Sequence, residues 1–153
     1  MFRGSNDLNL DDKGRLAIPK RYRDHLKEND GGHLVLTRHP LERCLQLFPL
    51  GIWKIKEDQL NALPTWDRKA SQVRRMVQGQ AVDCVMDSMG RILIPPGLRS
   101  NAALEKEVTL AGQGEKFELW SRAAWEAQRA AWDEILEQAE TGEVSEALKQ
   151  LTL

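Results

Sequence analysis

The sequence predicts a mainly β fold made from two copies of one unit, with helices at the periphery. Three observations carry this reading. Residues 11–19, DDKGRLAIP, recur at 87–95 as DSMGRILIP, so that Asp11/Asp87, Gly14/Gly90, Arg15/Arg91, Ile18/Ile94 and Pro19/Pro95 all correspond at an offset of 76. Apolar residues at alternate positions flank both copies, which is the period of a strand. A second strand pair also recurs, with HLVLT (33–37) resembling EVTLA (107–111) and CLQLFP (44–49) resembling KFELWS (116–121).

Each element follows from its residues. Leu8 and Leu10 before the first motif, and Val82, Cys84 and Met86 before the second, place a strand entering each turn. An Asp side chain accepts from backbone N–H groups two or three positions on, and Gly tolerates positive φ. Asp11, Gly14, Asp87 and Gly90 are therefore read as turn builders. Leu16 and Ile18, like Ile92 and Ile94, face one side of a returning strand. Pro19 and Pro95 have no N–H for a ladder, so pairing stops there, and a short basic helix begins near Pro19. The matching PPGLRSNAAL is a poorer helix because of Pro96 and Gly97.

Beyond the hairpins, Leu47 matches Leu119, Phe48 matches Trp120 and Trp53 matches Trp125, now at an offset of 72. After Pro49, Ile52, Ile55, Leu60 and Leu63 form one apolar helix side. A second helix over 67–78 has Ala70, Val73 and Val77 on one face, with Arg68, Lys69, Arg74 and Arg75 on a solvated one. Ser121 caps a third helix, whose apolar side is Trp125, Gln128, Trp132, Ile135 or Leu136, and Ala139, with Gly142 as its end cap. Ser145 starts a last short helix through Leu151. The unit is strand, Asp/Gly turn, strand, short helix, hairpin, helix. Two copies, with boundaries at 1–78 and 79–153, suit a closed pseudo-symmetric pair rather than a solenoid.

The 153 residues are 41% hydrophobic and 29% charged, an ordinary soluble balance. Cys44 and Cys84 stand in apolar surroundings, which fits a reduced, cytoplasmic protein rather than a disulfide scaffold. MFRGSNDLNLDD has no apolar secretory core, and no run reaches bilayer length, so no membrane association is expected. The net charge of −1 conceals an uneven distribution: residues 1–27 carry +3, residues 80–99 carry zero and residues 115–149 carry −5. A basic segment of this kind supplies phosphate affinity. Met89 stands where the first copy has Lys13, and Pro96 and Gly97 stand where it has Lys20 and Arg21. If DNA is the partner, the first copy is expected to give the main contact face, with the acidic C-terminal helices turned away. Arg15 also admits a plainer reading as the ion-pair partner of Asp11 or Asp12. Recurrence of the turn beside a basic patch favours the contact. Trp53, Trp125 and Trp132 are read as packing residues or oligomer contacts.

Signals of catalysis are absent: there is no GxxxxGKS/T phosphate loop and no GxSxG elbow. His33, His39 and Cys44 have a spacing that matches no strong zinc pattern. The expectation is a non-enzyme without cofactor or metal.

Three stretches, MFRGSNDLNLDDKGRLAIPKRYR, DSMGRILIPPGLR and KEVTLAGQGEKFELW, together resemble the MraZ family over essentially the whole chain. The resemblance implies two halves related to the AbrB and MazE swapped-hairpin proteins, that is, a duplicated AbrB-like double-split β-barrel with peripheral helices. It implies a bacterial DNA-binding transcriptional regulator that forms ring-like homo-oligomers and associates with the nucleoid. Its targets would be repeated boxes upstream of the division and cell-wall gene cluster, including its own gene. The family's D-x-x-x-R element falls on Asp11 to Arg15 and again on Asp87 to Arg91. Arg15 is the first expected DNA contact, joined by Lys13, Arg3, Lys20, Arg21 and Arg23. Arg91 is expected to support packing or a subunit contact. Two rival readings remain, an AbrB-like antitoxin-type partner of another protein and a purely structural ring.

Overall fold

The computed structural model of the chain describes residues 1–140 and 145–153. The first copy contributes β1 (Ser5–Asn9), β2 (Arg15–Ala17), α1 (Lys20–Asp30), β3 (His33–Arg38), β4 (Leu45–Pro49), α2 (Leu50–Asn61) and α3 (Arg68–Val77). The second contributes β5 (Val82–Val85), β6 (Arg91–Leu93), α4 (Pro96–Asn101), β7 (Glu107–Gly112) and β8 (Phe117–Ser121), followed by α5 (Arg122–Glu140) and α6 (Glu146–Lys149). Residues Met1–Arg122 make one compact unit and Ala123–Leu153 another.

Strand pairing interleaves the copies. Among the described residues, only the β3–β4 and β7–β8 ladders join strands of the same copy. β1 pairs with β7, β5 with β3, β4 with β8 and β2 with β6, each time crossing from one copy to the other and always antiparallel. The result is a six-stranded sheet in the order β1-β7-β8-β4-β3-β5 and a separate two-stranded ribbon, β2-β6. The sheet is open, with β1 and β5 at its edges, so the expected closure into a barrel is not made by a continuous ladder. Instead β1 approaches β2, and β5 approaches β6, through the intervening turns, where Asp11 N donates to Arg15 O and Asp87 N to Arg91 O, both at 3.0 Å.

The strands explain their own burial. β3 is buried at four consecutive positions, Leu34 to Thr37, rather than at alternate ones, because both of its faces are covered. Leu34 and Leu36 join the main core with Leu16, Ile18, Leu45, Leu47, Ile92, Ile94, Leu110 and Leu119. Val35 faces the other way, into a smaller cluster with Phe48, Trp53 and Val77 under α2 and α3. Thr37 Oγ1 donates to Val77 O at 2.5 Å, which ties α3 to the sheet. Trp53 is thus a packing residue, 5.6 Å from the Phe48 ring. At the other end of the core, Phe117 is fully buried against Phe2 (ring centroids 4.2 Å) and Tyr22 (5.0 Å). Phe2 reaches this position because its N–H and C=O bond to Gly114 on the β7–β8 turn.

Some helices depart from expectation at their ends. Ile55 is exposed, and Leu63 lies beyond α2, which closes at Ala62. α4 forms despite its composition, because Pro96 sits in the first turn, where its missing N–H would have no partner anyway. α6 ends at Lys149 rather than Leu151, with Ser145 accepting from Leu148 N as its cap. Trp125 and Trp132 meet edge to face at 6.1 Å on α5, while Trp132, Ile135 and Leu136 are exposed. The expected cap at Gly142 lies outside the described residues. Among the described residues, no helix is long and apolar enough to cross a membrane.

Truncating Phe117 to Ala removes the ring on which Phe2 and Tyr22 pack, and is expected to lower unfolding free energy by about 3–5 kcal/mol in a urea titration. Burial pushes the Cys84 thiol up to about 11, and that of Cys44 higher still. At pH 8 a thiol like that of Cys84 is thiolate only to roughly one part in a thousand. Iodoacetamide should therefore leave both cysteines unmodified in the native protein and alkylate both in denaturant, as read by intact mass.

Candidate nucleic-acid interface

The two Asp/Gly turns are built alike. Asp11 Oδ1 accepts from the backbone N–H of Lys13 (3.0 Å) and of Arg15 (2.8 Å). Asp87 Oδ1 accepts from Met89 N and Arg91 N, both at 2.9 Å. Gly14 and Gly90 have φ of +79° and +75°, a conformation that excludes most side chains, and each N–H returns to the carbonyl of its Asp at 2.9 Å. The second carboxylate oxygen takes the arginine: Arg15 Nε donates to Asp11 Oδ2 at 2.6 Å and Arg91 Nε to Asp87 Oδ2 at 2.8 Å. The backbone N–H of the arginine is the largest influence and holds both aspartate pKa values below the ordinary carboxylate range; desolvation opposes it, and the arginine side chain and the backbone N–H of Lys13 or Met89 add to the lowering. Among the described residues, neither arginine uses its Nη groups in a hydrogen bond to protein. The carboxylate therefore orients the guanidinium by one edge and leaves the two-pronged end open.

The β2–β6 ribbon sets both arginines on one surface. Leu16 lies opposite Ile92, both buried. The alternate positions point the other way: Arg15 is opposite Leu93 and Ala17 opposite Arg91. Arg15 and Arg91 are thus diagonal neighbours on the outer face, with Leu93 (53% exposed) and Ala17 beside them. Arg91, expected to support packing or a subunit contact, stands on this outer face as Arg15 does.

Strand exchange also re-sorts the other cations. Ile18 N donates to Gly90 O and Ile94 N to Gly14 O, both at 2.9 Å, so the end of each ribbon strand meets the turn of the other copy. The basic residues after Pro19 adjoin the first turn in sequence, but the helix that carries them starts beside the second. Lys20 is exposed at the start of α1, and Arg23 packs on Gly90 with its Nε donating to Ile18 O at 2.6 Å. Arg21 turns back to β1, donating to Asn6 Oδ1 at 2.9 Å and lying over the Tyr22 ring. Arg3 gives its carbonyl to Tyr22 OH, and its side chain is exposed. Lys13 is exposed at the first turn. Arg99 of α4, not expected at the site, packs on Gly14. The 76-residue offset contained the signal for it, since it carries Arg23 onto Arg99 and Ala17 onto Leu93.

The histidines and cysteines lie elsewhere in other roles. His39 Nδ1 accepts from Leu41 N and Glu42 N, and its Nε2 lies 3.3 Å from Glu118. His25 stands edge-on to Phe2. Among the described residues, no group of three His, Cys, Asp or Glu side chains is placed to hold a metal ion.

The MraZ family model, described as MraZ protein and antitoxin-like, matches the chain twice, over residues 1–76 and 77–146. The chain is 47% identical over 152 residues to a protein of Hydrogenovibrio crunogenus, covering 99% of this chain and 98% of that one. It is 46% identical over 153 residues to a protein of Escherichia coli K12, covering all of both. It is 51% identical over 128 residues to a protein of Nitrosomonas europaea, covering 84% of this chain and 86% of that one. All three relatives carry the name transcriptional regulator MraZ. With both halves matched and near-complete relatives at close to half identity, the chain belongs to the MraZ family.

Proposed function

We propose that this chain is a sequence-specific DNA-binding transcriptional regulator that reads duplex DNA with the β2–β6 ribbon. The observation that carries this reading is the pair of diagonal arginines, each held at Nε by an aspartate, with no hydrogen bond at its Nη groups among the described residues. A two-stranded ribbon fits the major groove, which is about 12 Å wide, and a guanidinium fork matches guanine O6 and N7. Leu93 and Ala17 add apolar surface of the kind that meets thymine methyl groups. Lys13 and Lys20, with Arg3 and Arg21 nearer β1, fix register on phosphates, and Arg23 borders the second turn. The names of the relatives support a regulatory role.

The resemblance extends the reading further. The halves 1–78 and 79–153 are AbrB-like, the ribbon completes their swapped-hairpin barrel, and the targets are repeated boxes upstream of the division and cell-wall gene cluster, including the protein's own gene. A ring-like homo-oligomer offers several ribbons to tandem boxes and raises their effective concentration. The exposed Trp132, Ile135 and Leu136 of α5 are available for such assembly. The protein acts in the cytoplasm at the nucleoid.

Anisotropy titrations against upstream and scrambled duplexes across a salt series, with mass measured on the same samples, test this reading. Specific binding is expected to survive salt that removes the scrambled competitor; equal affinity for both duplexes at every salt would sink it. Arg15→Ala and Arg91→Ala should each lower specific affinity by roughly 5- to 150-fold, the loss being larger for Arg15, beside which stands Lys13 rather than Met89. Lys13→Ala should weaken both duplexes alike and reduce the salt slope by about one.

A further inference from the structure

Gly14 and Gly90 are both buried, and what buries each is an arginine from the other copy. A Cβ on Gly14 would lie 2.7 Å from Arg99 Cζ and 2.8 Å from its Nη1. A Cβ on Gly90 would lie 2.6 Å from Arg23 Cδ and 2.8 Å from its Cζ. Both glycines thus leave a flat backbone surface, and a planar, weakly hydrated guanidinium is suited to lie on it. The two arginines differ in their second tether. Arg23 Nε is bonded to Ile18 O, whereas Arg99 Nε is buried without a hydrogen-bond partner among the described residues.

We propose that Arg99 and Arg23 are positioning residues acting across the repeat, each laying its guanidinium on the glycine of the other copy's turn and so fixing where that turn's arginine points. Arg99 governs Lys13, Gly14 and Arg15, and Arg23 governs Met89, Gly90 and Arg91. Recognition by each turn therefore depends on the copy that does not contain it. The part of this inference that concerns recognition rests on the DNA-binding reading above; the part that concerns the turns does not.

Amide hydrogen exchange on the full-length free protein tests the turns directly. Arg99→Ala is expected to raise exchange at Gly14 and Arg15 by about tenfold while changing Gly90 and Arg91 less than about twofold, a local opening rather than a global one. Arg23→Ala should do the reverse. Exchange that is unchanged at 11–15, or raised equally at both turns, overturns the proposal. If Arg99→Ala does not fold, Arg99→Lys, which keeps the charge and loses the planar stack, must show the same local opening; normal protection in that variant also overturns it.

DNA binding then separates positioning from contact. Arg99→Ala should lower specific affinity by roughly 5- to 50-fold with the salt slope unchanged, and its effect should be non-additive with Arg15→Ala and additive with Arg91→Ala. A slope reduced by about one makes Arg99 a phosphate contact and refutes the positioning role, as does full specific affinity in Arg99→Lys. If the unaltered protein shows no preference for upstream DNA, the DNA-binding reading fails, and the exchange result still decides the trans-packing claim.

Discussion

The exchange of backbone hydrogen bonds between the two copies is the constraint on which the rest of the fold depends. β1 finds its ladder partner in β7, β5 in β3 and β2 in β6. Buried N–H and C=O groups must be paired, so a copy deprived of its mate would leave these strand edges unsatisfied. The same exchange solves a problem of size. A unit of roughly 75 residues buries too little surface to be comfortably stable, but here Leu16, Leu34 and Leu47 share one core with Ile92, Leu110 and Leu119. Interleaving makes one larger core from two small ones, and it brings the two Asp/Gly turns to the ends of one shared ribbon.

Magnitudes decide what the aspartates do. An ion pair open to water is screened and adds little to stability, so Arg15–Asp11 and Arg91–Asp87 are weak reasons for the fold to exist. A bidentate arginine–guanine contact discriminates by about 1–3 kcal/mol, and it requires the guanidinium to be aimed before DNA arrives. Each aspartate also organises its own turn, since one oxygen accepts two backbone N–H groups while the other takes Nε. Removing the carboxylate would cost the turn and the aim together. That double use explains why an acid stands in the middle of the surface proposed to meet DNA.

Much of this was legible in the sequence, because the relevant signals are local. Alternation marked the strands, Asp and Gly marked the turns, and Pro19 and Pro95 marked the ends of pairing. The offset of 76 exposed the duplication and the equivalence of Arg15 and Arg91. What stayed hidden was non-local. Nothing in the letters says that β2 pairs with β6, so the sequence places Lys20 and Arg23 beside the turn they follow, whereas Arg23 packs on Gly90 of the other turn. Arg99 carries no local signal for the same reason. Its environment is a glycine 85 residues away. Phe2 gave no periodic signal either; two backbone bonds to Gly114 carry it into the core.

The exchange also changes the meaning of the divergence between copies. Taken turn by turn along the chain, the first copy is rich in cations and the second poor, since Met89 stands for Lys13 and Pro96 and Gly97 for Lys20 and Arg21. Taken along the ribbon, the contrast diminishes. The first turn has its own Lys13 and Arg15 and receives Arg99, while the second has Arg91 and receives Arg23 from the helix that Lys20 opens. A ribbon seated in a groove meets phosphates on both walls. Cations therefore serve best when divided between its two ends, and the swap achieves that division from a chain whose basic residues are concentrated near one terminus. At the second turn the first copy's helix, through Arg23, stands where the second copy has no cation of its own beside Arg91.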